Sequence, residues 1–208
     1  MTAIAKANSD LVLLIISSPS GAGKTTLTHR LLQDFPSFRF SVSHTTRAPR
    51  ANEVDGQDYQ FIDEASFRKL VDEGEFAEWA TVHGNLYGTS VRELERARAE
   101  GRSGLLFDVD YQGARQIKAK FPEAIGVFIL PPSLPELRRR LEGRASDAPE
   151  TIQRRFDKAR DEISHYAFFD YLIVNDDLQR ALAELRGVLH SESCRTWRKA
   201  SLAEKLLE

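Results

Sequence analysis

The sequence predicts an α/β fold, a doubly wound parallel sheet with helices on both faces, and three observations carry that reading. Four short aliphatic runs, Leu11–Ser17, Gly104–Val109, Ile125–Leu130 and Tyr171–Val174, read as strands buried on both sides. Helical patterns alternate with them at Thr25–Phe35, Tyr111–Lys120, Pro132–Glu142, Glu150–Ser164 and Leu178–Glu192. The first run ends in a glycine-rich turn, Gly21-Ala-Gly-Lys-Thr-Thr26, that opens directly into a helical pattern.

Composition narrows the partners. At 208 residues the chain can build one large domain with a substantial core. Its 29 basic and 31 acidic residues leave a net charge of −2, so bulk charge does not make it a nucleic-acid binder and any anion site must be local. Cys194 is the sole cysteine, which excludes internal disulfides and a cysteine metal cage and fits a reducing compartment. The run Leu11–Ile16 follows Lys6 but is too short for a secretory signal and runs straight into Pro19 and Gly21. No run approaches the ~20 apolar residues of a membrane span. The expectation is a soluble cytoplasmic protein without nucleic-acid or membrane partners, its oligomeric state unspecified.

In chain order, the strand Leu11–Ser17 delivers the turn. Glycines at Gly21 and Gly23 let successive N–H groups curl inward as an anion nest, and the helix after it adds a positive N-terminal end. Lys24 supplies a point charge for a transferred phosphate, the Thr25 hydroxyl can ligate Mg²⁺, and Thr26 can donate to another phosphate oxygen. The strict loop pattern asks for a glycine where this chain has Ser18. A small residue with ordinary backbone angles can serve there.

From about residue 39 to 93 the strand–helix rhythm breaks. Phe38–Ser43, Tyr59–Ile62 and Phe76–Val82 cluster aromatics in a turn-rich way and read as an inserted subdomain with some antiparallel pairing. Within it, Arg47 and Arg50 flank a proline, so both guanidinium groups can converge on one anion, and Tyr59 and Tyr87 offer hydroxyls to the same oxygens. Taken alone, two loop arginines are ordinarily solvated.

The strand Gly104–Val109 runs into Asp108 and Asp110, and ligands of open α/β sheets lie beyond the carboxyl ends of the strands. Asp108 is thereby placed for a Mg²⁺ shell. The stretch Arg138–Arg160 is dense in arginine, with Gly143 and Pro149 as breakpoints, and Thr196–Glu208 reads as a short terminal helix. His44, His83 and His165 show no metal-ligand spacing and read as structural.

These pieces together resemble guanylate kinase in its bacterial single-domain form. The carrying motifs are the phosphate loop, S-x-T-T-R-x-P-R at Ser43–Arg50, E-x-x-G-x-x-Y at Glu53–Tyr59, E-W-A at Glu78–Ala80, G-x-x-Y-G-T at Gly84–Thr89, D-x-D-x-Q-G at Asp108–Gly113 and I-V-N-D-D at Ile173–Asp177. The resemblance spans about Leu11 to Glu192. It implies a P-loop kinase fold that transfers the ATP γ-phosphate to GMP, and to dGMP as well, with Mg²⁺ as cofactor. It implies a core of residues 1–42, 94–135 and 159–208, a GMP-binding subdomain at 43–93 and a mobile lid at 136–158.

Residue by residue, the resemblance gives ATP to Ser20, Gly21, Ala22, Gly23, Lys24, Thr25, Thr26, Arg140, Arg144 and Asn175, the last at the adenine. It gives GMP to Ser43, Arg47, Arg50, Tyr59, Glu78, Tyr87, Thr89, Asp108, Asp110 and Gly113, and catalysis to Lys24, Arg47, Arg140, Arg144 and Arg155. Chemistry supports the guanine assignment: an acceptor-only carboxylate at Glu78 can take the ring N1–H and the N2 amino group together, which adenine cannot offer. Three departures stand out: Ser18 in the loop, Thr89 where some members have serine, and a proline within Ala145–Glu150 of the lid. Two rival readings use the same frame: a related small-molecule kinase acting on a ribose bisphosphate, and a catalytically inactive guanylate-kinase-like binding module.

Overall fold

The computed structural model describes residues 11–50, 53–82, 84–143 and 149–208. The chain begins β1 (Val12–Ser17), α1 (Lys24–Asp34), β2 (Phe38–Phe40), β3 (His44–Thr45), β4 (Gln60–Phe61), α2 (Glu64–Asp72), β5 (Phe76–Val82), β6 (Asn85–Ser90) and α3 (Arg92–Ala99). It continues β7 (Gly104–Asp108), α4 (Tyr111–Lys120), β8 (Ile125–Leu130), α5 (Leu134–Glu142), α6 (Pro149–Ser164), β9 (Tyr171–Val174), α7 (Leu178–Ser193) and α8 (Thr196–Lys205).

Five strands form a parallel sheet in the order β2-β7-β1-β8-β9. Because successive side chains of a strand point to opposite faces, the central strand feeds two cores. Leu14 and Ile16 pack with Leu27 and Leu31 of α1 and Leu182 and Leu185 of α7. Leu13 and Ile15 face the other way, against Leu94 of α3, Ile117 of α4 and Phe128. All four β1 side chains are at most 1 % exposed, which explains an unbroken apolar run where a one-sided strand would alternate. Burial of this kind stabilises by about 1.5–3 kcal/mol per large aliphatic side chain.

The edge strand differs from what the aromatic patterning alone suggests. The span Phe38–Ser43 reads from sequence as part of the insertion, yet Phe38–Phe40 pairs in parallel with Gly104–Leu106 and extends the main sheet. Phe38 lies over Gly104, where a Cβ would stand 2.3 Å from the ring, so the aromatic side chain belongs to a core contact that sequence patterning does not reveal.

A second sheet, ordered β4-β3-β6-β5, mixes one parallel pair with two antiparallel ones. Its own small core is Phe67, Phe76 and Leu86. Phe67 comes from α2, which starts where the Asp63 carboxylate accepts the Ser66 N–H at 2.8 Å. This sheet is tied to the main domain at α4: Gln116 accepts the Trp79 N–H at 3.1 Å and donates to the Trp79 carbonyl at 2.8 Å. A third small cluster, Leu137, Leu141 and Ala159, joins α5 to α6. Ser133 caps α5, its hydroxyl accepting the Glu136 N–H. The expected lid residue Arg144, the histidine His83 and most of Ala145–Glu150 lie outside the described residues.

Candidate active site

The turn after β1 is built around two left-handed glycines, Gly21 at φ 91° and Gly23 at φ 93°, a region that costs any side chain with a Cβ. Gly23 caps α1 with no side-chain hydrogen bond. The N–H groups of the first helical turn therefore meet whatever anion comes to the loop. Behind it stands Asn175, only 7 % exposed, whose Nδ2 donates to the Ala22 carbonyl at 2.7 Å. Arg140 adds a brace from α5, donating through Nη2 to the Asn175 carbonyl at 2.9 Å and through Nη1 to the Ala22 carbonyl at 3.5 Å. A Cβ on Gly23 would fall 2.3 Å from Asn175 Nδ2. Ser18, the off-pattern residue, donates its hydroxyl to the Pro19 carbonyl at 3.0 Å.

Parallel pairing of β1 with β7 sets Ile16 opposite Asp108, so the loop and the acidic strand end are neighbours. Lys24 Nζ forms an ion pair with Asp108 Oδ1. Thr25 is exposed one residue further along α1. No cluster of three or more His, Cys, Asp or Glu suited to a metal exists among the described residues. One carboxylate and one hydroxyl suit Mg²⁺ nonetheless, because that ion is held by one or two protein oxygens with substrate phosphates and water supplying the rest.

A cavity of about 390 Å³ opens between the loop and the second sheet. Ser20, Gly21, Gly23, Lys24, Thr25 and Thr26 line one side. Ser43, Tyr59, Glu78 and Tyr87 line the other, with Asp108 and Asp110 between. Residues that sequence reading assigned to two different ligands thus share one space.

At the far end lies Glu78, 5 % exposed. Strand alternation alone would leave this residue between Ala77 and Trp79 in doubt, but the pairing of β5 with β6 slips between Phe76 and Glu78 and turns Glu78 inward opposite Thr89. Burial pushes its carboxyl up to about 7, although hydrogen bonding to Thr89 pulls the other way. Thr89 Oγ1 also lies 2.9 Å from Ser43 Oγ. Asp110 caps α4, its Oδ1 accepting the N–H groups of Gln112 and Gly113 at 3.0 Å each. That cap sets Gly113 against the Glu78 carboxylate.

The arginine loop is organised by a residue whose role sequence reading did not assign. Arg47 donates through Nη2 to both oxygens of Glu53, at 2.8 and 2.9 Å, and through Nε to the Tyr87 hydroxyl at 3.2 Å. Its guanidinium carbon lies 5.4 Å from the centre of the Tyr59 ring, and Tyr59 meets Tyr87 edge-on at 5.9 Å. Arg50 contributes its backbone N–H to Glu53 at 2.8 Å, while its side chain is 75 % exposed.

Not every expected residue reaches the cavity. Arg47, Arg50, Thr89 and Gly113 do not line it, and Arg140 and Asn175 are engaged with the Ala22 carbonyl of the loop. Arg155 sits on α6, a turn before Lys158. Sequence reasoning passed over Lys158 and Glu162, which do line the cavity. Glu162 Oε2 accepts the Ser20 N–H at 3.2 Å, and burial raises its carboxyl. Helical spacing was the available signal, since Arg155, Lys158 and Glu162 share one face of α6.

The family model described as guanylate kinase matches residues 11–192. A guanylate kinase of Geobacter metallireducens is 56 % identical over 187 residues, covering 90 % of this chain and 92 % of the relative. One from Myxococcus xanthus is 50 % identical over 185 residues, with 88 % of each chain covered. The crystal structure of guanylate kinase from Anaplasma phagocytophilum superposes with a TM-score of 0.76 at 36 % identity, over 94 % of this chain and 93 % of that one.

Proposed function

The chain belongs to the guanylate kinase family and is an ATP:GMP phosphotransferase, and from that premise we propose how its residues divide the work. The carrying observation is the single cavity with a phosphate-binding turn at one end and the buried Glu78–Thr89–Ser43 group at the other. Residues 43–93 serve the acceptor, residues 136–158 form the lid, and the remaining segments make the donor-side core.

At the donor end, the turn and the start of α1 take the ATP phosphates, with Lys24 released from Asp108 onto the transferred group. Thr25 and Asp108 would hold Mg²⁺, which would supply charge neutralisation to the ATP phosphates. Asn175 reaches the adenine side while its amide keeps the Ala22 carbonyl satisfied. Arg140 and Arg155, on the paired helices α5 and α6, meet the charge that spreads over the phosphoryl oxygens in the transition state, and Arg144 has the same role by resemblance.

At the acceptor end, Glu78 in its ionised form takes the N1–H and N2 amino donors of guanine, and Ser43 and Thr89 serve O6. Asp110 and Gly113 shape that pocket. Arg47, Arg50, Tyr59 and Tyr87 hold the monophosphate. Since these contacts address base and phosphate, dGMP is an acceptor as well. The bond from the γ-phosphorus to the bridging oxygen of ADP breaks as one to a GMP phosphate oxygen forms, and no protein group becomes covalently attached. Exclusion of water lets GMP, rather than solvent, receive the group. Nucleotide substrates and the lone Cys194 suit the cytoplasm.

An acceptor panel tests the assignment. With ATP and Mg²⁺, GMP and dGMP are converted while AMP, CMP and UMP are poor acceptors, and Glu78→Ala collapses that preference. Unchanged discrimination in Glu78→Ala would refute the guanine assignment.

A further inference from the structure

The Arg47 guanidinium is held from several sides before any ligand arrives. Nη2 is committed to both Glu53 oxygens, Nη1 to the Ala48 carbonyl at 2.7 Å and Nε to the Tyr87 hydroxyl. The side chains of Arg47 and Glu53 are each 16 % exposed, so the pair is shielded compared with an ordinary surface ion pair. The hydrogen bonds from Arg47 hold the Glu53 carboxyl below its ordinary range, and the Arg50 N–H adds to that. Arg50 differs: its side chain is 75 % exposed and its Nη1 is 4.0 Å from Glu53.

These contacts run in one direction. The Tyr87 oxygen accepts from Arg47 Nε, which leaves the hydroxyl proton to be donated elsewhere, and Tyr87 lines the cavity whereas Arg47 and Glu53 do not. An order imposed on Arg47 is thereby passed to a group facing the ligand. On the reading that Arg47, Arg50 and Tyr87 hold the acceptor phosphate, we propose that Glu53 is a positioning residue for that phosphate. It fixes Arg47, orients the Tyr87 hydroxyl and pins the Arg50 backbone, so that Arg50 is the movable arm of a clamp whose other arm is rigid. Glu53 also offsets one of the two arginine charges, which keeps the guanidinium groups close together in the unliganded enzyme.

The amide of Glu53→Gln would retain the shape while replacing one acceptor oxygen by a donor that opposes Arg47. The expected result is a KM for GMP raised about tenfold or more, with the KM for ATP within about twofold and the melting temperature little changed. Glu53→Asp, which keeps the charge, restores part of the loss. Calorimetric titration with GMP alone should show the same loss of affinity. Should Glu53→Gln bind GMP as well as the unaltered protein, or more tightly, Glu53 does not position the clamp or competes with the phosphate, and the proposal is overturned. Equal losses for ATP and GMP with a lowered melting temperature would show a structural role and overturn it too. Arg47→Ala separates the two layers: if it leaves GMP binding intact, the phosphate assignment itself fails, whereas loss in Arg47→Ala without loss in Glu53→Gln rejects only the inference about Glu53.

Discussion

Gly113 and Glu78 fit together only because the first has no side chain: a Cβ on Gly113 would stand 2.8 Å from Glu78 Oε2 and 3.1 Å from the Val109 Cβ. Gly113 lies in the first turn of α4, where alanine would favour the helix by roughly 1 kcal/mol. Stability and function should therefore separate. In Gly113→Ala the buried carboxylate must shift, so the KM for GMP rises about tenfold or more while the melting temperature and the KM for ATP barely move. Steady-state kinetics with both substrates and a melting curve check this, and a parallel loss for ATP would count against it.

Glu78 should couple GMP binding to pH. Burial raises its carboxyl to about 7, while guanine's donors require the ionised form, so below that pH the nucleotide must expel a proton. Affinity for GMP then falls by up to about tenfold per pH unit below 7, and the dependence disappears in Glu78→Gln. Proton release measured by calorimetry in buffers of different ionisation enthalpy tests it directly. The sign for folding is opposite to that of a paired acid. The folded pKa lies above the unfolded one, so no penalty exists at pH values below the ordinary carboxyl range. Stability declines as pH rises towards 7, by about 3 kcal/mol in all. Glu78→Gln should remove that decline.

The phosphate turn depends on a residue at the far end of the chain. Asn175 is 153 positions from Ala22, whose carbonyl it satisfies, and it occupies the space beside Gly23. Gly23→Ala combines a forbidden φ with that collision and should lower kcat/KM for ATP by about a hundredfold or more. Asn175→Ala leaves the buried Ala22 carbonyl only the longer contact from Arg140 Nη1 at 3.5 Å, so a loss of about 1–3 kcal/mol in stability is expected with a KM for ATP raised more than that for GMP. Chemical denaturation and fluorescence titration with ATP provide the two readings. Equal effects on both substrates would argue that Asn175 has no special tie to the donor side.

What could be read from sequence follows from how local the cause is. The run Leu11–Ser17 betrays itself because both faces of β1 are buried, and the turn at Gly21–Thr26 because its backbone demands glycine at set places. Helices α2 and α3, at 9 and 8 residues, are short and lie among turn residues, so their periodicity is faint. Glu78 carries no local mark of burial. Its inward turn comes from a slip in pairing with β6 and its space from Gly113 on α4, and only the assembled motifs pointed to it. Glu53 appeared as a letter of a motif, but its partner could not be read without the fold. Glu162 and Lys158 were visible as a helix face, yet nothing in the sequence said that the phosphate turn lay opposite.

The join between the two sheets offers the last test. Glu93 on α3 is 2 % exposed and gathers contacts from both sides of the passage out of β2. Its Oε2 accepts Arg39 Nε at 3.1 Å and the Val42 N–H at 3.5 Å, while Oε1 accepts Arg96 Nη1 at 2.9 Å. Arg39 has a second partner in Glu100 at 2.7 Å, and Arg96 is 55 % exposed, so neither guanidinium is stranded when Glu93 is removed. The loss is consequently smaller than for an isolated buried pair, about 2 kcal/mol for Glu93→Gln. Because Val42 leads directly to Ser43 at the cavity wall, the variant should also raise the KM for GMP while leaving that for ATP near its original value. Denaturant unfolding read beside two-substrate kinetics decides the matter: a stability loss with both KM values unchanged would confine Glu93 to holding the fold.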